Sequence, residues 1–117
     1  MRGMKWKRLV VLAFGVFSGQ AIASFLSAQE LYAALKESES ISADESKIFD
    51  SGEAYGYVFA IYDTYAGLAI CMPADTTGRQ VTKVTQNYLG QHPEAWNLPA
   101  SVEVTKALTT AWPCVRK

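Results

Sequence analysis

The sequence has few of the residues from which active sites are built. It contains one histidine, His92, and two cysteines in 117 residues. It has no nucleophile-elbow motif, zinc-binding helix motif, phosphate-binding loop or zinc-type spacing of cysteine and histidine. His92 precedes Pro93 at a predicted helix end, where a histidine more often stabilises the helix dipole than acts as a general base. The sequence therefore predicts no enzyme, no cofactor and no metal site.

A long apolar run is also missing. The apolar stretch at residues 9–17 is far shorter than the roughly 20 residues that a membrane-spanning helix needs. It follows a basic, acid-free start and precedes Ala21-Ile22-Ala23, which is the layout of a cleavable signal peptide over residues 1–23. Ser24, rather than a cysteine that would carry lipid, follows the cleavage site. The sequence predicts that residues 24–117 form one soluble periplasmic domain with no membrane contact after cleavage.

Removal of this segment changes the charge balance. The whole chain has 11 basic and 11 acidic side chains, and four of the basic ones lie before residue 9. The mature part then carries 7 basic and 11 acidic groups, a net charge of −4. Such a balance argues against nucleic acid as a partner. It is compatible with a basic partner protein, or simply with good solubility.

Both cysteines, Cys71 and Cys114, belong to the mature part. In an oxidising compartment we expect them to form a disulfide. The bond would close a loop from residue 71 to residue 114, for which the chain-entropy model gives a stabilisation of about 4 kcal/mol. Reactive thiols are the alternative, but neither cysteine lies in a Cys-X-X-Cys motif or beside a basic cluster.

Apolar spacing predicts an all-α, single-domain bundle of about four helices. The first is expected over residues 25–38, followed by a loop or frayed helix end at 37–47. Residues 53–71 contain alternating aromatic residues that favour a strand, but their length favours a helix, and their two apolar faces predict a buried central one. Thr77 and Gln80 have the spacing of a capping box for the third helix, whose end Gly90 and Pro93 mark. Pro99 opens the fourth helix, for which the predicted buried stripe is Val104, Ala107, Leu108 and Ala111.

Several ordered motifs in residues 52–114 are more specific than these patterns. They are Gly56-Tyr57-Val58, Cys71-Met72-Pro73, Gln80-Val81, Tyr88-Leu89-x-x-His92-Pro93-Glu94 and Ala107-Leu108-x-x-Ala111-Trp112-Pro113-Cys114. This set resembles the Rap/Tai family of bacterial immunity proteins, named for type VI amidase immunity. Members of that family are small helical periplasmic proteins, often dimers, that occlude peptidoglycan-cleaving amidases injected by type VI secretion. The resemblance implies the same role here, by a steric mechanism. It also implies that a homodimer is one of the possible oligomeric states.

The chain also departs from the family pattern. Many members carry a further cysteine pair, and its places here look like Ala34 or Leu35 and Ala54. We therefore expect the first helix to be held by packing alone. The second glycine of the family's Gly-Tyr motif is Ala60 here.

No partner-binding residue can be transferred by motif, so exposed loops provide the candidates. One set is the acidic segment with Glu37, Glu39, Asp44 and Glu45. The other is the turn beside the predicted disulfide, with Asp75, Thr76, Thr77 and Arg79. For each set taken alone, ordinary solvated surface is the more frequent role of such residues, because binding energy concentrates in few residues of an interface. Trp96 and Trp112 are expected in the core.

A different class of function fits the gross form of the chain. Small helical proteins with one long-range disulfide also serve as periplasmic chaperones that hold unfolding proteins under acid stress. Such a holdase would expose apolar surface or lose its fold at low pH, whereas an inhibitor would stay compact and bind one partner.

Overall fold

The computed structural model describes residues 24–40 and 44–115. Four helices and a short 3₁₀ helix make up this part of the chain, and it contains no β-strand. The helices are α1 (Ala28–Glu37), α2 (Glu45–Tyr65), α3 (Gly78–Gln91) and α4 (Ala100–Ala111), with the 3₁₀ helix at Pro93–Ala95 before α4. The prediction of an all-α bundle with one disulfide is confirmed. The predicted signal peptide, residues 1–23, lies outside the described residues. In the described part, no helix combines the length and hydropathy that crossing a membrane requires.

Local hydrogen bonds explain where the helices begin. α1 starts with a capping box in which the Ser27 hydroxyl accepts from the Glu30 amide, and the Glu30 carboxylate accepts from the Ser27 amide. α3 starts with the predicted box of Thr77 and Gln80, which is confirmed with the same reciprocal bonds. Asp44 caps α2 by accepting from the Ser46 amide.

The core lies where the four helices meet. Each helix contributes fully buried aliphatic side chains to one cluster, principally Leu31, Leu35, Val58, Leu89, Val104 and Leu108. The cluster joins all four helices into one hydrophobic core, as a domain of this size requires.

The central helix differs from its prediction. α2 begins at Glu45 and ends at Tyr65, several residues earlier at both ends than the expected 53–71. Only Ala54 and Val58 on it are fully buried, whereas Tyr55 and Phe59 are each 36% exposed. One face of α2 packs on the other three helices and the opposite face meets solvent. The prediction of a helix buried on all sides is therefore wrong.

Two further details of the sequence pattern are corrected. Ala111 is exposed rather than buried, because α4 ends there and Trp112 packs against the core instead. Gly90 lies inside α3 rather than ending it. A Cβ at Gly90 would lie 2.9 Å from the Tyr32 hydroxyl oxygen, so the missing side chain leaves room for the packing of α1 on α3.

α1 is attached by more than packing. The Ala28 amide donates to the Leu98 carbonyl at 2.9 Å, and the Ala100 amide donates to the Leu26 carbonyl at 2.9 Å. The Tyr32 ring packs against Trp96, with ring centroids 5.4 Å apart. The expectation that packing alone holds α1 is therefore wrong, because backbone hydrogen bonds join its start to the segment that precedes α4.

Candidate partner-binding surfaces

The disulfide fixes the connection between α2 and α3. Cys71 and Cys114 are bonded, with Cα atoms 4.8 Å apart, as the sequence predicts. The Cys71 amide donates to the Trp112 carbonyl at 2.9 Å, and Ile70 forms an isolated β-bridge with Pro113. The chain after α2 is thus tied covalently and by backbone hydrogen bonds to the segment after α4.

A tight loop projects from this anchor, and we call residues 66–70 the tip loop. Gly67 adopts a φ of 79°, a left-handed conformation that glycine takes without steric cost. Its amide donates to the Ile70 carbonyl at 2.9 Å, and the Leu68 amide donates to the Tyr65 carbonyl at 3.0 Å. Ile70 is buried, whereas Leu68 is 78% exposed. The tip loop therefore presents a large apolar side chain on a backbone that its own hydrogen bonds hold in place.

The predicted turn at Asp75, Thr76, Thr77 and Arg79 joins the tip loop region to α3. The Thr77 hydroxyl accepts a hydrogen bond from the Gln80 amide in the capping box, so this side chain has a structural role. The Thr76 amide donates to the Pro73 carbonyl at 3.0 Å and the residue is half-buried. Asp75 and Arg79 are exposed and remain candidates for contact with a partner.

The predicted acidic set does not form one loop. Glu37 is the last residue of α1, Asp44 caps α2 and Glu45 is the first residue of α2. Helix α2 therefore begins inside residues 37–47, the segment expected to be a loop or a frayed helix end. Glu39 forms a salt bridge with Lys83 of α3. The hydrogen bond from the Lys83 ammonium lowers the pKa of the Glu39 carboxyl, and the hydrogen bond from Ser46 does the same to the pKa of Asp44.

The structure brings one residue from each predicted set into a shared groove, here called the α3 groove, of about 550 Å³. Glu39 and Lys83 form part of its wall, Arg79 another part, and the Tyr55 hydroxyl donates to the Ser38 hydroxyl across it at 3.3 Å. The remaining lining residues are Leu35, Thr82 and Gln86. Exposed Tyr and Arg side chains are common at the centres of protein interfaces. Tyr55 was not among the predicted candidates, because residues 53–71 were expected to lie in the core.

A second groove, the α1–α2 groove, lies between the first two helices and measures about 290 Å³. Glu37 is the predicted candidate that lines it. Three other carboxylates lie there, on Glu30, Asp50 and Glu53, and none of them was predicted. Their common surface becomes visible only once α1 and α2 are paired.

His92 has a structural role in the turn after α3. Its Nδ1 donates to the Tyr88 carbonyl at 2.7 Å, and its ring stacks on the Tyr88 ring with centroids 4.0 Å apart. The Trp96 indole NH donates to the Leu89 carbonyl at 2.8 Å. These bonds satisfy carbonyl groups that the end of a helix leaves free. Within residues 24–40 and 44–115, no group of three or more histidine, cysteine or acidic side chains is arranged to hold a metal ion.

The described residues thus define a class of structure: a small, disulfide-bonded helical protein with exposed grooves and a projecting loop. The sequence model of the Rap1a immunity proteins matches residues 27–114, which is well over half of the chain. The chain therefore belongs to the Rap1a immunity protein family. It is an immunity protein, and membership implies that it acts by binding a partner effector protein. A comparison with curated proteins finds no match.

Proposed function

We propose that residues 1–23 direct export of this protein and are then cleaved off, and that the mature protein protects the cell wall by binding, in the periplasm, a peptidoglycan-cleaving amidase delivered by type VI secretion. The inhibition is steric, with the tip loop entering the amidase cleft. Family membership supports the class of function, and the exposure of Leu68 on a hydrogen-bonded, disulfide-anchored loop is the observation that supports the mechanism.

Physical reasons favour this loop over the other exposed segments. A loop that is ordered before binding loses little conformational entropy when it binds. An exposed leucine that becomes buried in a cleft contributes about 1.5–3 kcal/mol of apolar transfer free energy. No catalytic group on the immunity protein is needed for this mechanism. Tyr65, which immediately precedes the tip loop, is 38% exposed and lines a groove together with Val102 of α4, which is 42% exposed.

The experiment joins protection to one side chain. Amidases encoded beside this gene are exported to the periplasm of a test bacterium, and lysis is scored with and without the immunity protein. The purified pair is then assayed for peptidoglycan cleavage. We expect Leu68→Asp to weaken inhibition at least 100-fold. Ile48→Asp provides the matched control because Ile48 is also exposed and lies about 25 Å along α2 from its C-terminal end at 1.5 Å per residue.

The two variants give opposite readings. Loss of inhibition in Leu68→Asp alone supports the tip loop mechanism. If both variants inhibit the amidase as strongly as the native protein does, the tip loop does not enter the amidase cleft. If the native protein rescues cells from no neighbouring amidase, the proposed target is wrong.

An acid-activated holdase is the second candidate, favoured by the exposure of Ile48 and Phe49 at the start of α2. A holdase would suppress aggregation of an unfolding client protein at pH 3, and Ile48→Asp would weaken that activity more than Leu68→Asp. The inhibitor proposal expects no suppression by either variant.

A further inference from the structure

The α1–α2 groove has two chemically distinct zones. Its apolar lining consists of Leu26, Ala33, Ala34 and Ala54, and its acidic lining consists of Glu30, Glu37, Asp50 and Glu53. Both helices contribute to each zone. The groove therefore combines an apolar floor of small side chains with carboxylates from two facing helices.

Most of these carboxylates have no paired counter-charge in the part of the chain that the structure describes. Among the described residues, the carboxylates of Glu37, Asp50 and Glu53 take part in no salt bridge and accept no hydrogen bond; the Ser40 hydroxyl donates to the backbone carbonyl of Glu37, not to its carboxylate. The two lysines of α1 and α2, Lys36 and Lys47, interact with other groups. The Lys36 ammonium lies over the Tyr32 ring, 5.4 Å from its centroid. Lys47 adds to the effect of the Ser46 hydrogen bonds in lowering the pKa of Asp44.

The charge of residues 24–117 is unevenly distributed along the sequence, with the acidic groups concentrated in the part that contains α1 and α2. Residues 24–65 hold eight carboxylates and two lysines, a net charge of −6, whereas residues 66–117 carry a net charge of +2. The carboxylates paired with lysine, Glu39 and Glu103, lie outside the groove. The negative potential is thus concentrated on the α1–α2 side, where it attracts a cation.

We propose that the α1–α2 groove receives an arginine side chain from the partner protein, which rests on the proposed function in taking that partner to be the effector. The arginine stem lies along the alanine floor and its guanidinium binds the carboxylates of Glu37 and Glu53. An arginine has an apolar stem and a charged, planar head that matches carboxylates in a bidentate manner. The groove is a second contact, separate from the tip loop, and it selects effectors with a basic surface.

A small probe tests the groove without the effector. Blocked arginine, acetyl-arginine amide, is titrated into the full mature protein at low salt and followed by the amide resonances of Ala33, Ala34 and Ala54. We expect these resonances to shift together toward saturation. The variant Glu37→Gln/Glu53→Gln should bind the probe more weakly, with a fitted dissociation constant at least fivefold higher than that of the native protein. The matched control Asp63→Asn/Glu94→Gln removes the same charge from exposed positions outside the groove and should bind as the native protein does.

Uniform small shifts over the whole surface, or equal weakening by both double variants, would overturn the groove proposal. Because the substitutions remove repulsion between exposed carboxylates, they should leave the fold intact, and the amide spectrum of each variant checks this directly.

The effector provides the second measurement. We expect Glu37→Gln/Glu53→Gln to slow association with the amidase about tenfold at 20 mM salt and much less at 500 mM, because salt screens the attraction. The control double variant should associate at the native rate. An unchanged rate in the groove variant, with inhibition by the native protein intact, contradicts the groove proposal alone. Absence of inhibition by the native protein contradicts the proposed function, while the arginine titration still decides the groove.

Discussion

The two halves of the molecule reach stability by different means. Residues 66–115 have a disulfide, a β-bridge between Ile70 and Pro113, and a hydrogen-bonded tip loop. Residues 24–65 have no disulfide in their described part and concentrate negative charge around an open groove. The covalently tied half thus provides a fixed backbone shape, while α1 and α2 provide negative charge, which costs stability because like charges repel.

Removal of the disulfide should have the largest effect on this contrast. Closure of a loop of 43 residues' separation stabilises the folded state by about 4 kcal/mol in the chain-entropy model. We expect Cys71→Ala/Cys114→Ala to lower the free energy of unfolding in urea by about that amount. The Gly67 amide, which the tip loop holds, should lose hydrogen-exchange protection.

Leu68→Ala is the control for the disulfide experiment, since it alters the tip loop surface and leaves the disulfide intact. A loss of less than about 1 kcal/mol in the cysteine variant would show that backbone hydrogen bonds, rather than the disulfide, fix this half.

The sequence predicted the parts of this fold that local chemistry determines. The Thr77–Gln80 capping box and the start of α4 after Pro99 follow from residue type and spacing. The pairing of the two cysteines, which are 43 positions apart, was predicted instead from their number and from the expected oxidising compartment. The apolar pattern of α2 did not show which face is buried, because apolar residues occur all round it. Its exposure depends on tertiary packing, which single-sequence reasoning does not contain.

The same limit applies to the candidate surfaces. Glu39 and Arg79 are 40 positions apart in sequence, so their shared groove could not be predicted from either segment. Leu68 had a local indication that was overlooked: Gly67 follows a long helix, where a left-handed turn is common. Nothing in the sequence indicated that Asp50 and Glu53 line a groove, because acidic residues are frequent in this part of the chain.

A cysteine pair placed between α1 and α2 would make the two halves more alike. Ala34 and Ala54 line the same groove from facing helices. We expect Ala34→Cys/Ala54→Cys to form a disulfide in air and to raise the free energy of unfolding by about 3 kcal/mol, since it closes a shorter loop than Cys71–Cys114. Mass spectrometry after alkylation measures the bond and urea denaturation measures the stability.

Ala34→Ser/Ala54→Ser controls for the added polar atoms of that variant. Free thiols in the oxidised sample would contradict the predicted proximity. A bond with no gain in stability would show that the denatured α1–α2 region is already compact.

A fall in pH should weaken the helix caps of residues 24–65 and leave the cap of α3 unchanged. We expect this effect on stability to be smaller than those of the two cysteine variants. The hydrogen bond from the Ser27 amide lowers the pKa of Glu30, and the Ser46 bonds lower the pKa of Asp44. Groups with lowered folded pKa values stabilise the fold above their unfolded pKa of about 4, and this contribution is lost as the pH falls through the folded value. The α3 box uses Thr77 and Gln80, which do not titrate in this range.

Between pH 6 and pH 3, we therefore expect the Glu30 and Ser46 amides to lose hydrogen-exchange protection, after correction for intrinsic rates, while the Gln80 amide keeps its own. Glu30→Gln is the matched variant, because it converts the α1 box into the uncharged kind found on α3. It should remove the pH dependence at the α1 start and leave that of α2 unchanged. An equal loss of protection at Gln80 would indicate global acid unfolding instead, which is the behaviour expected of an acid-activated holdase.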